Sequence, residues 1–202
     1  MERIVVAALG DSITAGSPGW DPDPAVRATI VDPDPASQWQ HWAALRDPRF
    51  EFRNFGVYGE RTDEIARRLD RCAAGIAIVV LQGGTNDIAQ QRRVNPAARN
   101  LGAMVRRSRA FGLQVLLADV LPWNNGYPRA EAPIRWLNEL VRLVGDEEGV
   151  HVLPFHDTLE DDSRPGRMRE EWTSDGDHPS VAGYRLLGEL VAGELSALLG
   201  ED

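Results

Sequence analysis

Short apolar runs alternate with longer stretches of helical periodicity along the chain. Residues 3–9, 50–57, 76–82, 113–120 and 150–154 read as five strands. Ile76 to Gln82 is nearly continuous and β-branched, the pattern of a strand buried on both faces. Between the strands, apolar residues recur every three or four positions. Leu101, Met104, Val105 and Ser108 mark one helix, which Asn95-Pro96 opens as a cap and first-turn proline and Gly112 closes. Ile134, Leu137, Leu140, Val141 and Val144 mark a second, and Val181, Tyr184, Leu187, Val191, Leu195 and Leu198 the last. Residues 37–46 and 62–73 are shorter helices. The alternation predicts one α/β domain over residues 1–202, with a five-stranded parallel sheet and helices on both faces. Ligands of such sheets bind beyond the carboxyl ends of the strands.

One segment departs from this periodicity. Residues 17–36 contain Asp21-Pro22-Asp23-Pro24 and Asp32-Pro33-Asp34-Pro35. Proline at this density fits neither sheet nor helix, so the segment reads as a stiff, extended surface loop. Its carboxylates lack the spacing and terminal Glu of a calcium loop.

Composition removes several kinds of chemistry. All 22 basic residues are Arg, so a Lys nucleophile, a Schiff base and a phosphate-loop Lys are absent. The net charge of −9 argues against a nucleic-acid partner. Cys72 is the single cysteine, which excludes an intrachain disulfide and a thiolate metal cluster. Cys72 shares helical spacing with Ile65 and Leu69 and reads as core. Ile4 to Leu9 is too short for a signal-peptide core, and no apolar run approaches a membrane span. A cytoplasmic protein without a membrane partner is the expectation.

Four polar segments adjoin the predicted strand ends or the last helix. They are Gly10-Asp11-Ser12-Ile13-Thr14, Asn54-Phe55-Gly56-Val57-Tyr58-Gly59, Gly84-Thr85-Asn86-Asp87 and Asp175-Gly176-Asp177-His178-Pro179. Each alone has a structural explanation as a turn or helix cap. As an ordered set covering nearly the whole chain, they resemble the SGNH hydrolases, also called the GDSL esterase/lipase family. The resemblance implies a flavodoxin-like three-layer α/β/α sandwich and an ester hydrolase without a cofactor. It implies Ser12 as nucleophile, His178 as base and Asp175 as the group orienting His178. The oxyanion hole would consist of the Ser12 and Gly59 backbone N–H groups and the Asn86 amide.

These residue types suit the roles. A serine hydroxyl needs an adjacent base, and histidine can take its proton near neutral pH. Asp three residues before His, with Gly176 between, lets one loop present both side chains. Asp177 is the competing carboxylate, and His156, followed by Asp157, is the competing base. His41 and His151 read as structural. A metal held by Asp175, Asp177, His178 and His156 would leave Ser12, Gly59 and Asn86 without a role, so no metal is expected. Asp11 and Asp87 read as residues that hold their loops through backbone hydrogen bonds. The chain lacks the Gly-x-Ser-x-Gly elbow and the Gly-x-Gly-x-x-Gly dinucleotide spacing.

Trp20, Tyr58, Trp123, Tyr127 and Trp172 fall in loops near the active edge and are candidate pocket walls, with Asn124 and Asn125 beside them. Such walls suit a sugar or aryl group. Trp39, Trp42 and Trp136 lie at helical positions and read as core. The expected substrate is a small or medium acyl ester. An acyltransferase or thioesterase would use the same residues, and a catalytically silent sugar- or ester-binding domain is the reading from another class. Many acids, among them Asp21, Asp23, Asp32, Asp34, Asp161, Asp162, Glu170 and Glu171, fall near the active edge. They predict a preference for neutral or cationic esters over anionic ones.

Overall fold

The computed structural model describes residues 3–16 and 34–200. Trp20 and the acids Asp21, Asp23 and Asp32 lie outside the described residues. The strands are β1 (Ile4–Gly10), β2 (Phe50–Gly56), β3 (Ile78–Leu81), β4 (Gln114–Ala118) and β5 (His151–Leu153). All pair in parallel, in the order β2-β1-β3-β4-β5. The described helices are α1 (Ser12–Ala15), α2 (Trp39–Arg46), α3 (Thr62–Cys72), α4 (Thr85–Ala89), α5 (Val94–Ala110), α6 (Glu131–Glu148), α7 (Phe155–Leu159) and α8 (Val181–Leu198).

The period-two geometry of the strands divides their side chains between two cores. Ala7, Leu9, Val79, Leu81, Val115 and Leu117 pack with residues of α3, α5 and α6. Val6, Ala8, Ile78, Val80, Leu116 and Ala118 pack with residues of α2, α7 and α8. Both faces of the central strands are thus dry, which is why these strands read as unbroken apolar runs rather than alternating ones. The result is a three-layer α/β/α sandwich. The chain leaves β1 for β2 by way of α2 on one face, then returns to β3 by way of α3 on the other. The strand order therefore reverses between β1 and β3, opening a crevice at their carboxyl ends.

Trp39 anchors the α2 layer. It is fully buried and meets Phe52 edge-on at 5.7 Å between ring centroids. The close approach of α8 to α2 requires Gly188. A Cβ there would stand 2.4 Å from Trp42 Cβ, 2.6 Å from the Trp39 carbonyl and 2.9 Å from Ala43 N. None of these atoms can rotate away, so Gly188→Ala is expected to cost about 1–3 kcal/mol of stability, read from the urea midpoint.

Two local expectations change. Helix α5 starts two residues early, at Val94, after Arg93, whose side chain makes no capping bond. Asn95 therefore lies inside the helix, where its Oδ1 accepts from Trp136 Nε1 at 3.4 Å. Trp136, expected in the core, is 46% exposed, because it lies off the α6 face that carries buried Ile134, Leu137 and Val141. Cys72 is buried in the α3 layer as expected, and burial raises its thiol pKa. Among the described residues, no helix is long and apolar enough to cross a membrane.

Candidate active site

Ser12 owes its place to the end of β1. Strand β1 stops at Gly10, where a Cβ would lie 2.3 Å from Thr14 Oγ1 and 2.5 Å from Gln82 Oε1. Asp11 caps the short helix that follows, its Oδ1 accepting from Ile13 N at 2.9 Å. Ser12 is thus the first residue of α1, at the carboxyl edge of the sheet. Gln82 holds this turn from β3, its Oε1 accepting from Asp11 N at 3.2 Å and from Thr14 Oγ1 at 2.9 Å. Gln40 Nε2 donates to the Thr14 carbonyl at 2.8 Å. Both glutamines are buried, and the motif reading had not singled them out. The available signal was Gln82 itself, a polar residue ending an apolar strand directly before Gly83-Gly84.

His178 arrives from the opposite end of the chain. Asp175 Oδ1 accepts from the N–H groups of Asp177 and His178, each at 2.8 Å, which folds the loop back on itself. Gly176 takes φ +86°, a value that favours glycine. The other carboxylate oxygen of Asp175 lies 2.8 Å from His178 Nδ1, and His178 Nε2 lies 3.0 Å from Ser12 Oγ. Ser12 and His178 are each 6% exposed, whereas the Asp175 side chain is about half exposed. Burial pushes the Asp175 carboxyl upward, but the His178 ring and the two N–H donors outweigh it and hold the pKa below the usual value. Asp177, the competing carboxylate, instead accepts from the Trp123 indole N–H. Ser180 caps α8, which leaves Asp175 free for the imidazole. Asn125 braces the loop, its amide donating to the Asp175 carbonyl at 2.9 Å and its N–H to the Gly176 carbonyl at 3.2 Å. Tyr58 stacks on the His178 ring at 5.6 Å.

The turn after β2 is clamped to α4. Asn86 Nδ2 donates to the Glu60 carbonyl at 3.0 Å, and Gln90 Nε2 to the Gly59 carbonyl at 3.4 Å. Asp87 is buried and accepts from Thr62 N at 2.9 Å and Thr62 Oγ1 at 3.0 Å. Gly59 takes φ +75°, and the space where a Cβ would stand is open. Gly56 brings the end of β2 against α1, since a Cβ there would fall 2.0 Å from Ala15 N. These contacts gather the serine, glycine and asparagine segments at one sheet edge.

Burial raises three carboxyls near this edge, Asp87, Asp11 and Asp119. Burial raises Asp11 to about 6, against the opposing pull of Ile13 N–H, Gln82 and His178, and its Oδ2 is buried without a hydrogen-bond partner. Burial likewise raises Asp119 to about 7, although its Oδ1 accepts from His156 N at 2.8 Å. Both pKa values lie above those of the unfolded chain, so the native state holds extra protons between pH ~4 and pH ~7. Stability is therefore expected to fall as pH rises through that window. Asp119→Asn keeps the Oδ1 acceptor and removes the charge. It is expected to add on the order of 1–3 kcal/mol at pH 8 and little at pH 4.5, measured by urea unfolding at both values.

Other candidates fall elsewhere. His156 turns its Nδ1 toward Asp157, at 3.3 Å, and Glu160, at 3.8 Å, while the Ser12 hydroxyl is met by His178. Among the described residues, the group that could hold a cation is His156, Asp157 and Glu160, whose ligand atoms lie within 4.8 Å of one another. It is not the set of Asp175, Asp177 and His178. His41 packs edge-on against Trp42, and His151 pairs with Glu194 at 3.0 Å. Asp34 caps the short turn Pro35–Ser37. Trp172, a candidate pocket wall, packs against the α8 core, with the Arg169 guanidinium over its ring at 4.6 Å. Trp123 and Tyr127 do line a cleft, of about 620 Å³, together with Ile88 and Ala89 from α4.

The GDSL-like lipase/acylhydrolase family profile matches residues 8–186. No curated protein matches the chain. Its fold is shared with a lipase/acylhydrolase from Enterococcus faecalis at 24% identity and a TM-score of 0.75, covering 96% of each chain. A GDSL-like lipase from Bacteroides thetaiotaomicron aligns at 20% identity and a TM-score of 0.74, over 96% of this chain and 88% of that one. An acetyl-xylooligosaccharide esterase from Geobacillus Stearmophilus aligns at 15% identity and a TM-score of 0.75, over 96% and 94% of the two chains. With its motifs in order on a shared three-layer sandwich, the chain belongs to the GDSL-like lipase/acylhydrolase family.

Proposed function

We propose that the protein hydrolyses carboxylic esters of small or medium acyl groups through an acyl intermediate on Ser12. The observation that carries this reading is the unbroken line from Asp175 Oδ2 to His178 Nδ1, at 2.8 Å, and from His178 Nε2 to Ser12 Oγ, at 3.0 Å. An anionic Asp175 accepts the Nδ1 proton, which leaves the Nε2 lone pair facing the serine hydroxyl. As Oγ attacks the ester carbonyl, His178 takes the hydroxyl proton and then delivers it to the leaving alcohol. Water repeats the sequence against the acyl-serine, releasing the acid and restoring Ser12. The negative oxygen of each tetrahedral intermediate is met by the N–H groups of Ser12 and Gly59 and by Asn86. An amide carries two N–H bonds, and Asn86 gives one of them to the Glu60 carbonyl, which orients the other.

Similarity to proteins described as lipase, acylhydrolase and esterase supports the same class. A fluorophosphonate probe should add its mass once per chain, on the peptide carrying Ser12, and an adduct on any other residue would overturn the assignment. An acyltransferase would share the acyl-serine. Product analysis with and without an added alcohol separates the two, with free acid expected to dominate in both.

A further inference from the structure

The cleft that starts two residues beyond Asn86 carries charge opposite to the chain as a whole. Its walls include Ile88, Ala89 and Arg92 on one side and Trp123, Tyr127 and Arg129 on the other. No carboxylate is among the described lining residues. Neither the Arg92 nor the Arg129 guanidinium has a hydrogen bond, ion pair or ring contact among the described residues. The acids near the active edge are occupied in comparison. Asp161 and Glu170 each lie 2.8 Å from Arg164, Asp162 lies 3.3 Å from Arg169, Asp177 accepts from Trp123, and Asp175 holds His178. The cleft adjoins the site on both sides, since α4 also carries Asn86, and Trp123 bonds to the residue beside His178. Gln91, the one non-glycine residue with positive φ among those described, at 54°, turns the chain at this wall directly before Arg92. Non-glycine residues with such backbone cluster at active sites and ligand clamps.

We propose that Arg92 and Arg129 form a subsite for an anionic group, a carboxylate or phosphate, carried by the ester substrate. The subsite deepens the proposed ester hydrolysis and rests on it for turnover. It reverses the preference for neutral or cationic esters expected from the acids near the active edge. Guanidinium forks bind such anions through charge-assisted, bidentate hydrogen bonds, and a cleft of about 620 Å³ is of ligand-binding size.

The test compares anionic esters with neutral shape matches at low salt. Mono-p-nitrophenyl adipate is set against p-nitrophenyl 6-methylheptanoate for an acyl-side charge. 4-Carboxyphenyl acetate is set against 4-isopropylphenyl acetate for an alcohol-side charge, and 4-acetoxyphenyl phosphate provides the phosphate arm. The anionic-to-neutral ratio of kcat/KM is expected to reach about 10 or more in at least one arm, to shrink in high salt, and to fall about tenfold in the double variant Arg92→Gln/Arg129→Gln. Arg99→Gln, outside this cleft, should leave the ratio in place. A ratio at or below one in every arm, or a ratio unmoved by the double variant, would overturn the subsite. Calorimetric titration with 4-acetamidobenzoate, an amide that needs no turnover, tests it separately. Binding lost in the double variant, with no ester hydrolysed, would retain the subsite and sink the ester reading. Ester turnover with no anion preference would sink the subsite alone.

Discussion

Ser12→Ala is expected to lower kcat toward short-chain p-nitrophenyl esters by about 10⁵–10⁶, and His178→Ala by a similar factor. The double variant is expected to be no slower than either single one. The two side chains act as one unit across a 3.0 Å contact, so removing either abolishes the same transition state. The fold should survive Ser12→Ala, because α1 is capped by the Asp11 carboxylate and braced by Gln82 and Gln40, none of which bonds to the serine hydroxyl. Unfolding curves and initial rates on the same preparation check both halves of this expectation. A Ser12→Ala enzyme retaining a tenth of wild-type kcat would remove the acyl-serine mechanism, and additive losses in the double variant would separate the roles of the two residues.

Asn86→Ala is expected to cost about 10²–10³ in kcat with little change in KM, since the donor acts on charge that develops only in the transition state. The side chain has a second duty that must be separated from the first. Its amide also ties the Glu60 carbonyl to α4, so its loss loosens the turn that presents Gly59. Gln90→Ala cuts a neighbouring tether, the one to the Gly59 carbonyl, without touching the asparagine. If the turn geometry were the larger effect, the two variants would slow the reaction alike. The expectation is a loss of less than about tenfold for Gln90→Ala, because the turn keeps its bonds from Asn86 and Asp87.

The sheet and its helices were legible because each apolar run had one available environment. Ile78–Leu81 has every residue buried, and so short a β-branched run fits a strand covered on both faces better than a helix. Asp175 and His178 were legible as a pair because a three-residue spacing closes locally, through the bonds Asp175 Oδ1 accepts from the loop backbone. Features set by distant residues were not legible. Asn95 looked like a helix cap but lies inside α5 opposite Trp136, a neighbour 41 positions away. Trp172 carried the same loop signal as Trp123 and Tyr127, yet its ring is taken up by Arg169 and the α8 core. The acidic composition described the chain and not the cleft, because composition cannot say which arginine pairs with which carboxylate.

By itself, then, the amino-acid order determined the layer architecture and the edge at which ligands meet the sheet, and its ordered motifs nominated Ser12, Gly59, Asn86, Asp175 and His178 as the candidate set through their resemblance to a known family. The architecture depends on short-range periodicity, and the candidate set on the order of four motifs that are weak one by one. Only the tertiary structure decided that Asp177 is drawn to Trp123, that Gln82 and Gln40 hold the serine turn, and that Arg92 and Arg129 stand without acidic partners among the described residues. Those outcomes follow from hydrogen bonds and ion pairs between residues far apart in the chain, whose partners are chosen by packing and not by sequence spacing.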